Sequence, residues 1–446
     1  MAAKPVFIGC AAGFSGDRVD AAGPVVETLS RRDGRRILMY ETLAERTLAL
    51  AQLARRADPR AGFEPLLEDM LGPVLAACIA NDIAIVGNFG AANPPAAARK
   101  ILAMSRDRGL APPRIAVVSG DDLSGPGHRE LLARALGERI EDMVSANAYL
   151  GAEPIAAALD AGAQVVICGR VADPSLAVGP IMAHYGWRAD DWDRLGRATM
   201  AGHLLECGGQ VTGGYFADPG MKDVPDVHDL GFPIAQIDAD GGCIIGKAED
   251  TGGVVDARTV KEQLLYEIHD PSAYLTPDAT ADISEAEVRD LGGNRVALGG
   301  VRGHARPETL KVTVCHEGGW LAEGEISYAG PGAEGRARLA ADVLRQRLPG
   351  LALRVDLIGS LSLFGDDRGE LLSRTPARDL RDVRVRVAAR HDERAQAERL
   401  AREVLALYTN GPAGGGGVRT AVRPRLETRS CFVPRSAVHA TWEMVR

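Results

Sequence analysis

What this chain has little of narrows its possible roles first. Its seven cysteines, Cys10, Cys78, Cys168, Cys207, Cys243, Cys315 and Cys431, are odd in number, widely spread and free of C-x-x-C pairs. Neither a disulfide framework nor a zinc knuckle is therefore expected. No apolar run reaches membrane-spanning length and no signal-peptide core precedes the apolar run at Val6, so the expected location is cytoplasmic with no membrane partner. Basic charge is in deficit: 52 Lys and Arg stand against 60 Asp and Glu, for a net charge of -8. Nucleic-acid binding normally shows as a basic face, and no nucleic-acid partner is expected. Internal repeats are absent, as is any long linker of Pro, Ser or charge.

What is there is a chain of 446 residues, long enough for a large buried core and roughly two to three domains. Its first 170 residues hold five short apolar runs that each stop at Gly, a carboxylate, an amide or Arg: Val6-Phe7-Ile8-Gly9, Ile37 to Tyr40 before Glu41, Ile83 to Gly87 before Asn88, Ile115 to Val118 before Asp121, and Val165 to Gly169 before Arg170. Continuous β-branched runs suit parallel strands buried on both faces. Helical spacing follows between them, over Leu43 to Ala57, Pro65 to Ala80, Pro95 to Arg108, Glu130 to Leu136 and Asp193 to Cys207. The fold class expected is α/β: a doubly wound, mostly parallel sheet domain over residues 1–250, followed by a second α+β domain over 251–446 that ends in a Gly-rich loop. Ligands of such sheets bind beyond the carboxyl ends of the strands, which is where the polar stops fall.

Several clusters there could do chemistry. The first turn, with Gly13, Gly16 and Asp17, is rich in glycine but lacks the G-x-G-x-x-G fingerprint; it could face an anion or simply make a tight turn. Asn88, Gly90 and Asn93 form a comparable turn whose amides can hold a carbonyl or carboxylate. Arg170 can clamp a substrate carboxylate in two parallel hydrogen bonds with Asp173 to orient it or act as a base. The alternative is a structural Arg–Asp pair with Asp173 capping the next helix. His203 and Glu206 stand three apart and His203 and Cys207 four apart, so a helix brings imidazole, carboxylate and thiol to one face. That suits proton transfer. A metal would need three ligands, and this spacing matches no metal motif, so no metal is expected. The glycines Gly414 to Gly417, with Gly415 and Gly416 central, are either a hinge or a backbone nest reaching an anion.

These stretches taken together resemble one family. Ile8-Gly9-Cys10-Ala11-Ala12-Gly13-Phe14-Ser15-Gly16-Asp17, Gly87 to Pro94, Cys168 to Asp173, Ala201 to Gly214 and Asn410 to Gly417, with Gln263 to Ile268 before Asp270-Pro271, resemble the acyclic terpene utilisation AtuA family over nearly the whole chain. Ser15 stands where many members carry a bulky aromatic, which bears on pocket size. The resemblance implies bacterial breakdown of citronellol or geraniol through carboxylated acyl-CoA intermediates. It also implies a small ferredoxin-like protein partner, since members often carry or are encoded beside such a domain. The expected function is a lyase or hydratase acting on a small-molecule carboxylate or acyl thioester. No redox cofactor is expected, and the chain is expected to form a homo-oligomer. In that reading Arg170 holds the carboxylate, His203 moves a proton and Glu206 orients His203. Asp173 and Cys207 assist, Asp17, Asn88, Asn93, Gly13, Gly16 and Gly90 line the pocket, and Gly415 and Gly416 close over it. The alternatives are a non-catalytic ligand-binding subunit completed by the small partner, and a nucleotide-dependent enzyme using the first turn.

Overall fold

The structure is a computed structural model and describes residues 3–137, 140 and 143–445. The β-branched runs enter one ten-stranded sheet. In spatial order its strands are Glu287–Asp290, Val296–Gly299, Cys243–Lys247, Pro233–Ile237, Val6–Cys10, Arg35–Tyr40, Ile83–Gly87, Val165–Ile167, Ile115–Ser119 and Thr441–Met444. The run from Val6–Cys10 to Ile115–Ser119 is parallel throughout. Both of its faces are buried: Ile8, Ile37, Met39 and Val86 enter one core, while Phe7, Leu38, Ile83 and Ile85 enter another. Alternate residues meet opposite faces of a strand, which is why these runs read as unbroken apolar sequence.

The sheet is mixed, and this corrects the expectation of a mostly parallel one. Pro233–Ile237 runs antiparallel beside Val6–Cys10, and Cys243–Lys247 folds back antiparallel on it. The second pairing follows from a tight turn in which Asp238 Oδ1 accepts from the N–H groups of Asp240 and Gly242; so short a connection can join only antiparallel strands. Antiparallel pairs complete both margins of the sheet. The helices expected from spacing form, except that Pro65 to Ala80 breaks into Leu67–Leu71 and Leu75–Ala80 around Gly72-Pro73, where proline lacks the N–H a continuing helix needs.

The chain divides into two compact units, one running to Cys315 and resuming at Thr428, the other His316–Glu427. The expected break between 1–250 and 251–446 thus falls inside the first unit, because Glu287–Asp290 and Val296–Gly299 join the same large sheet. Within the second unit Trp320 to Ala329, the later part of the strand Thr309–Ala329, pairs antiparallel with Asp382–His391, which pairs with Arg354–Ile358. The helices Ala333–Arg347 and Arg394–Asn410 cover that sheet through Ala337, Leu344, Leu400 and Val404. Among the described residues no helix is long and apolar enough to cross a membrane.

For the site, the parallel register matters most. Cys10 lies beside Met39, Tyr40 beside Gly87 and Gly87 beside Ile167. The residues that follow these strand ends, including Gly13, Glu41, Asn88 and Arg170, are delivered beyond one edge of the sheet.

Candidate functional site

Beyond that edge the first unit holds a cavity of about 790 Å³. Strand ends contribute Gly13, Asp17, Glu41, Arg170 and Asp173 to its wall, and the end of the helix Trp192–Glu206 contributes Glu206 and Cys207. Tyr149, Tyr274, Glu267, Lys311, Arg18 and Glu45 add to its polar lining. Of the residues expected from sequence, Gly13, Asp17, Arg170, Asp173, Glu206 and Cys207 are therefore brought together.

Gly13 is where the first turn meets the end of that helix. A Cβ there would fall 2.4 Å from the Cys207 carbonyl carbon and 2.6 Å from the Gly208 nitrogen, so only glycine fits. The turn folds around its own carboxylate. The N–H groups of Gly13 and Arg18 donate to Asp17 Oδ2 and Oδ1 at 2.8 and 2.7 Å. Two of the turn's amide hydrogens are thereby taken by the chain's own carboxylate.

His203 and Glu206 meet as their spacing requires. Nδ1 lies 2.8 Å from Oε1, the ring is tilted against Tyr274 at 5.3 Å between centroids, and Gln263 Nε2 donates to the His203 carbonyl. The imidazole is only 1% exposed and sits behind the wall; Glu206 is the member of the pair that lines the cavity. His203 Nε2 and Glu206 Oε2 are buried without a hydrogen-bond partner. Burial pushes the Glu206 carboxyl up to about 7, His203 only partly offsetting it. Burial disfavours an imidazolium, yet Glu206 raises the His203 pKa above the ordinary histidine value. The pair thus retains a proton near neutrality, lying between Nδ1 and Oε1.

Arg170 is not an open clamp. It is 1% exposed; Nε and Nη2 donate to the Val171 carbonyl at 2.8 and 2.6 Å, Nη1 donates to the Leu43 carbonyl, and Nη2 pairs with Asp173. Its carbon Cζ stacks 4.5 Å from the Tyr149 ring centroid. A guanidinium has five N–H donors, and most of them are spent inside the protein. Asp173 holds this ion pair and does not cap the following helix, which starts at Ser175 without a side-chain cap. Lys311 is the more open cation. Its Nζ lies 4.7 Å from the Tyr149 centroid and 3.2 Å from Glu45 Oε1, which also accepts from the Tyr149 hydroxyl at 2.6 Å. Burial would raise the Glu45 carboxyl, but the bonds from Tyr149 and Lys311 prevail and hold it down at about 2.

Glu41, read in the sequence only as a strand stop, lines the same wall. Burial and the nearby Asp173 push its carboxyl up to about 8 against the pull of Arg170 and Asn88. Asn88 does not reach the cavity; it is fully buried and holds Glu41. Asn93 donates to the carbonyls of Pro59 and Ala61, Gly90 packs on Cys168 and Ile167, and Gly16 turns at φ +94°. Gly415 and Gly416 belong to the second unit, where Gly415 packs on Ile326 and Tyr328. Burial and the neighbouring Glu206 push the Cys207 thiol well above its ordinary range, so it stays protonated and is no ready nucleophile. Tyr149, Lys311 and Tyr274 carried no local signal; Tyr266 and Glu267, which also line the wall, lie in the Gln263 to Ile268 segment that the sequence marked only as a family match. Among the described residues no group of three or more His, Cys, Asp or Glu converges as a metal site.

The protein is of mixed α/β class, with a carboxyl-rich cavity beyond the ends of parallel strands. Residues 6–444 match the family described as acyclic terpene utilisation family protein AtuA, and the chain belongs to that family. Among curated proteins nothing matches it.

Proposed function

We propose that this AtuA-family protein is an acid–base enzyme, a lyase or hydratase that removes or adds water on a carboxylated acyl thioester. Family membership supports a role in acyclic terpene utilisation. One observation carries the chemistry: Glu206 lines the cavity with Oε1 bound to His203 and Oε2 without a partner. A carboxylate whose pKa sits near neutrality can both take and return a proton. His203 sets the protonation of Glu206 from behind, and Lys311 and Arg18 are the cavity-lining cations more open to a substrate anion than Arg170, whose fork is occupied.

The test is to incubate the purified chain with carboxylated branched acyl thioesters in deuterated water and follow deuterium at the carbon beside the thioester. Exchange that disappears in Glu206→Gln supports the reading; exchange unchanged in that variant refutes it. Repeating the assay with a small ferredoxin-like partner separates an enzyme from a ligand-binding subunit, which would bind the thioester alone but turn it over only in the complex.

A further inference from the structure

A dehydration or hydration needs two proton-transfer groups, one for carbon and one for oxygen. Resting on the lyase or hydratase reading above, we propose that Glu41 is the second of these, the acid that protonates the departing hydroxyl, and that Asn88 is its positioning residue. Glu41 follows the strand Arg35–Tyr40 and Glu206 ends the helix Trp192–Glu206, so two elements far apart in sequence bring a carboxyl each to one cavity.

The hydrogen bonds define which Glu41 oxygen carries the proton. Asn88 Oδ1 accepts from the Thr42 N–H at 2.7 Å and from its hydroxyl at 3.3 Å, which fixes the amide so that Nδ2 faces Glu41. Nδ2 then donates to Glu41 Oε1 at 2.8 Å, and the Leu43 N–H donates to the same oxygen at 2.8 Å. Both partners are pure donors. Oε1 is therefore the acceptor oxygen, and Oε2 is left to hold the proton and to serve the cavity. The charged groups that act on Glu41 are Asp173 and Arg170 from one strand end, and Glu41 in turn raises the Cys10 thiol at another strand end and the Cys207 thiol beyond the helix. Arg170 is tied to Asp173 and the two thiols stay protonated, so none of them ionises Glu41 at neutral pH.

The step balances without any co-reactant. Glu206 takes the proton from the carbon beside the thioester carbonyl, which delocalises the electron pair left behind. That pair forms the C=C bond as the C–O bond to the neighbouring carbon breaks, and the hydroxyl leaves as water with the proton from Glu41. Glu206 releases its proton to solvent and Glu41 regains one; hydration is the reverse.

The two carboxyl groups separate by experiment. In Glu41→Gln, elimination should fall about a hundredfold or more, while deuterium exchange at carbon stays within about threefold of the parent, because the base is untouched. Loss of exchange and elimination together, or retention of both, overturns the proposal. Asn88→Ala removes a donor that lowers the Glu41 pKa, so the alkaline limb of the pH–rate profile should move to higher pH; an unmoved limb removes Asn88 from its role. A second measurement needs no turnover. Infrared spectra of the full chain at neutral pH should show a protonated carboxyl C=O band that is lost in Glu41→Gln. Coincident spectra would refute a protonated Glu41 whatever becomes of Glu206, and exchange that survives in Glu206→Gln would refute the base assignment alone.

Discussion

His203 Nδ1 stands 2.8 Å from Glu206 Oε1 with the imidazole sealed from solvent, so the histidine acts on the cavity only through the glutamate. His203→Asn keeps a donor toward Glu206 but removes the group that can become a cation. Because His203 lowers the Glu206 pKa, the acidic limb of the pH–rate profile should move upward, with turnover down about tenfold or more. A profile that keeps its acidic limb in place would show that the imidazole has no part in setting the Glu206 proton.

Arg170→Lys preserves the charge and discards the fork. The carbonyls of Val171 and Leu43 lose donors in a buried setting, which should cost about 2–4 kcal/mol of stability in urea unfolding. A variant of parental stability but weakened ligand affinity would return Arg170 to the role of substrate clamp.

Gly13→Ala tests the contact between the first turn and the helix end. The new methyl would lie 2.4 Å from the Cys207 carbonyl carbon, and backbone on both sides leaves little room to yield. A loss of about 2–3 kcal/mol is expected, together with reduced turnover, since Glu206 precedes Cys207. Thermal melting and the exchange assay check both, and an alanine variant that melts like the parent would show that the turn moves freely.

The buried acids make stability depend on pH. The folded pKa of Glu41 is raised to about 8, against an unfolded value of about 4.3. The folded state therefore holds a proton that the unfolded state has released, and stability should fall as pH rises between those values. Glu206, raised to about 7, and Asp121, raised to about 6 with burial as the leading cause, add to the same slope. Glu41→Gln removes one contributor to this slope. Its melting temperature relative to the parent should rise from pH 5 to pH 8.5; a parallel pair of curves would contradict the raised pKa.

Much of the scaffold was legible because its signals are local. The runs Val6 to Gly9 and Ile83 to Gly87 read as two-faced strands, and both enter the parallel centre of the sheet. The antiparallel direction of Pro233–Ile237 and Cys243–Lys247 was not legible, since two short apolar stretches of five residues carry no mark of the direction in which they pair. Within the site, His203 and Glu206 could be paired from helical spacing alone. Lys311 could not be assigned, since a single lysine on a strand carries no mark of the Tyr149 ring it lies over.

By itself the sequence determined the strand and helix periods, the family to which the chain belongs and the side-chain types at the strand ends. Those follow from neighbours along the chain and from composition. Only the tertiary structure decided which groups are free for chemistry. Of the two readings open for Arg170, the buried brace is the one its bonds to the carbonyls of residues 43 and 171 favour, and Glu41, in sequence only a strand stop, is a candidate acid because burial, Asp173 and Asn88 surround it. Desolvation and hydrogen-bond saturation depend on groups distant in sequence, and no local pattern records them.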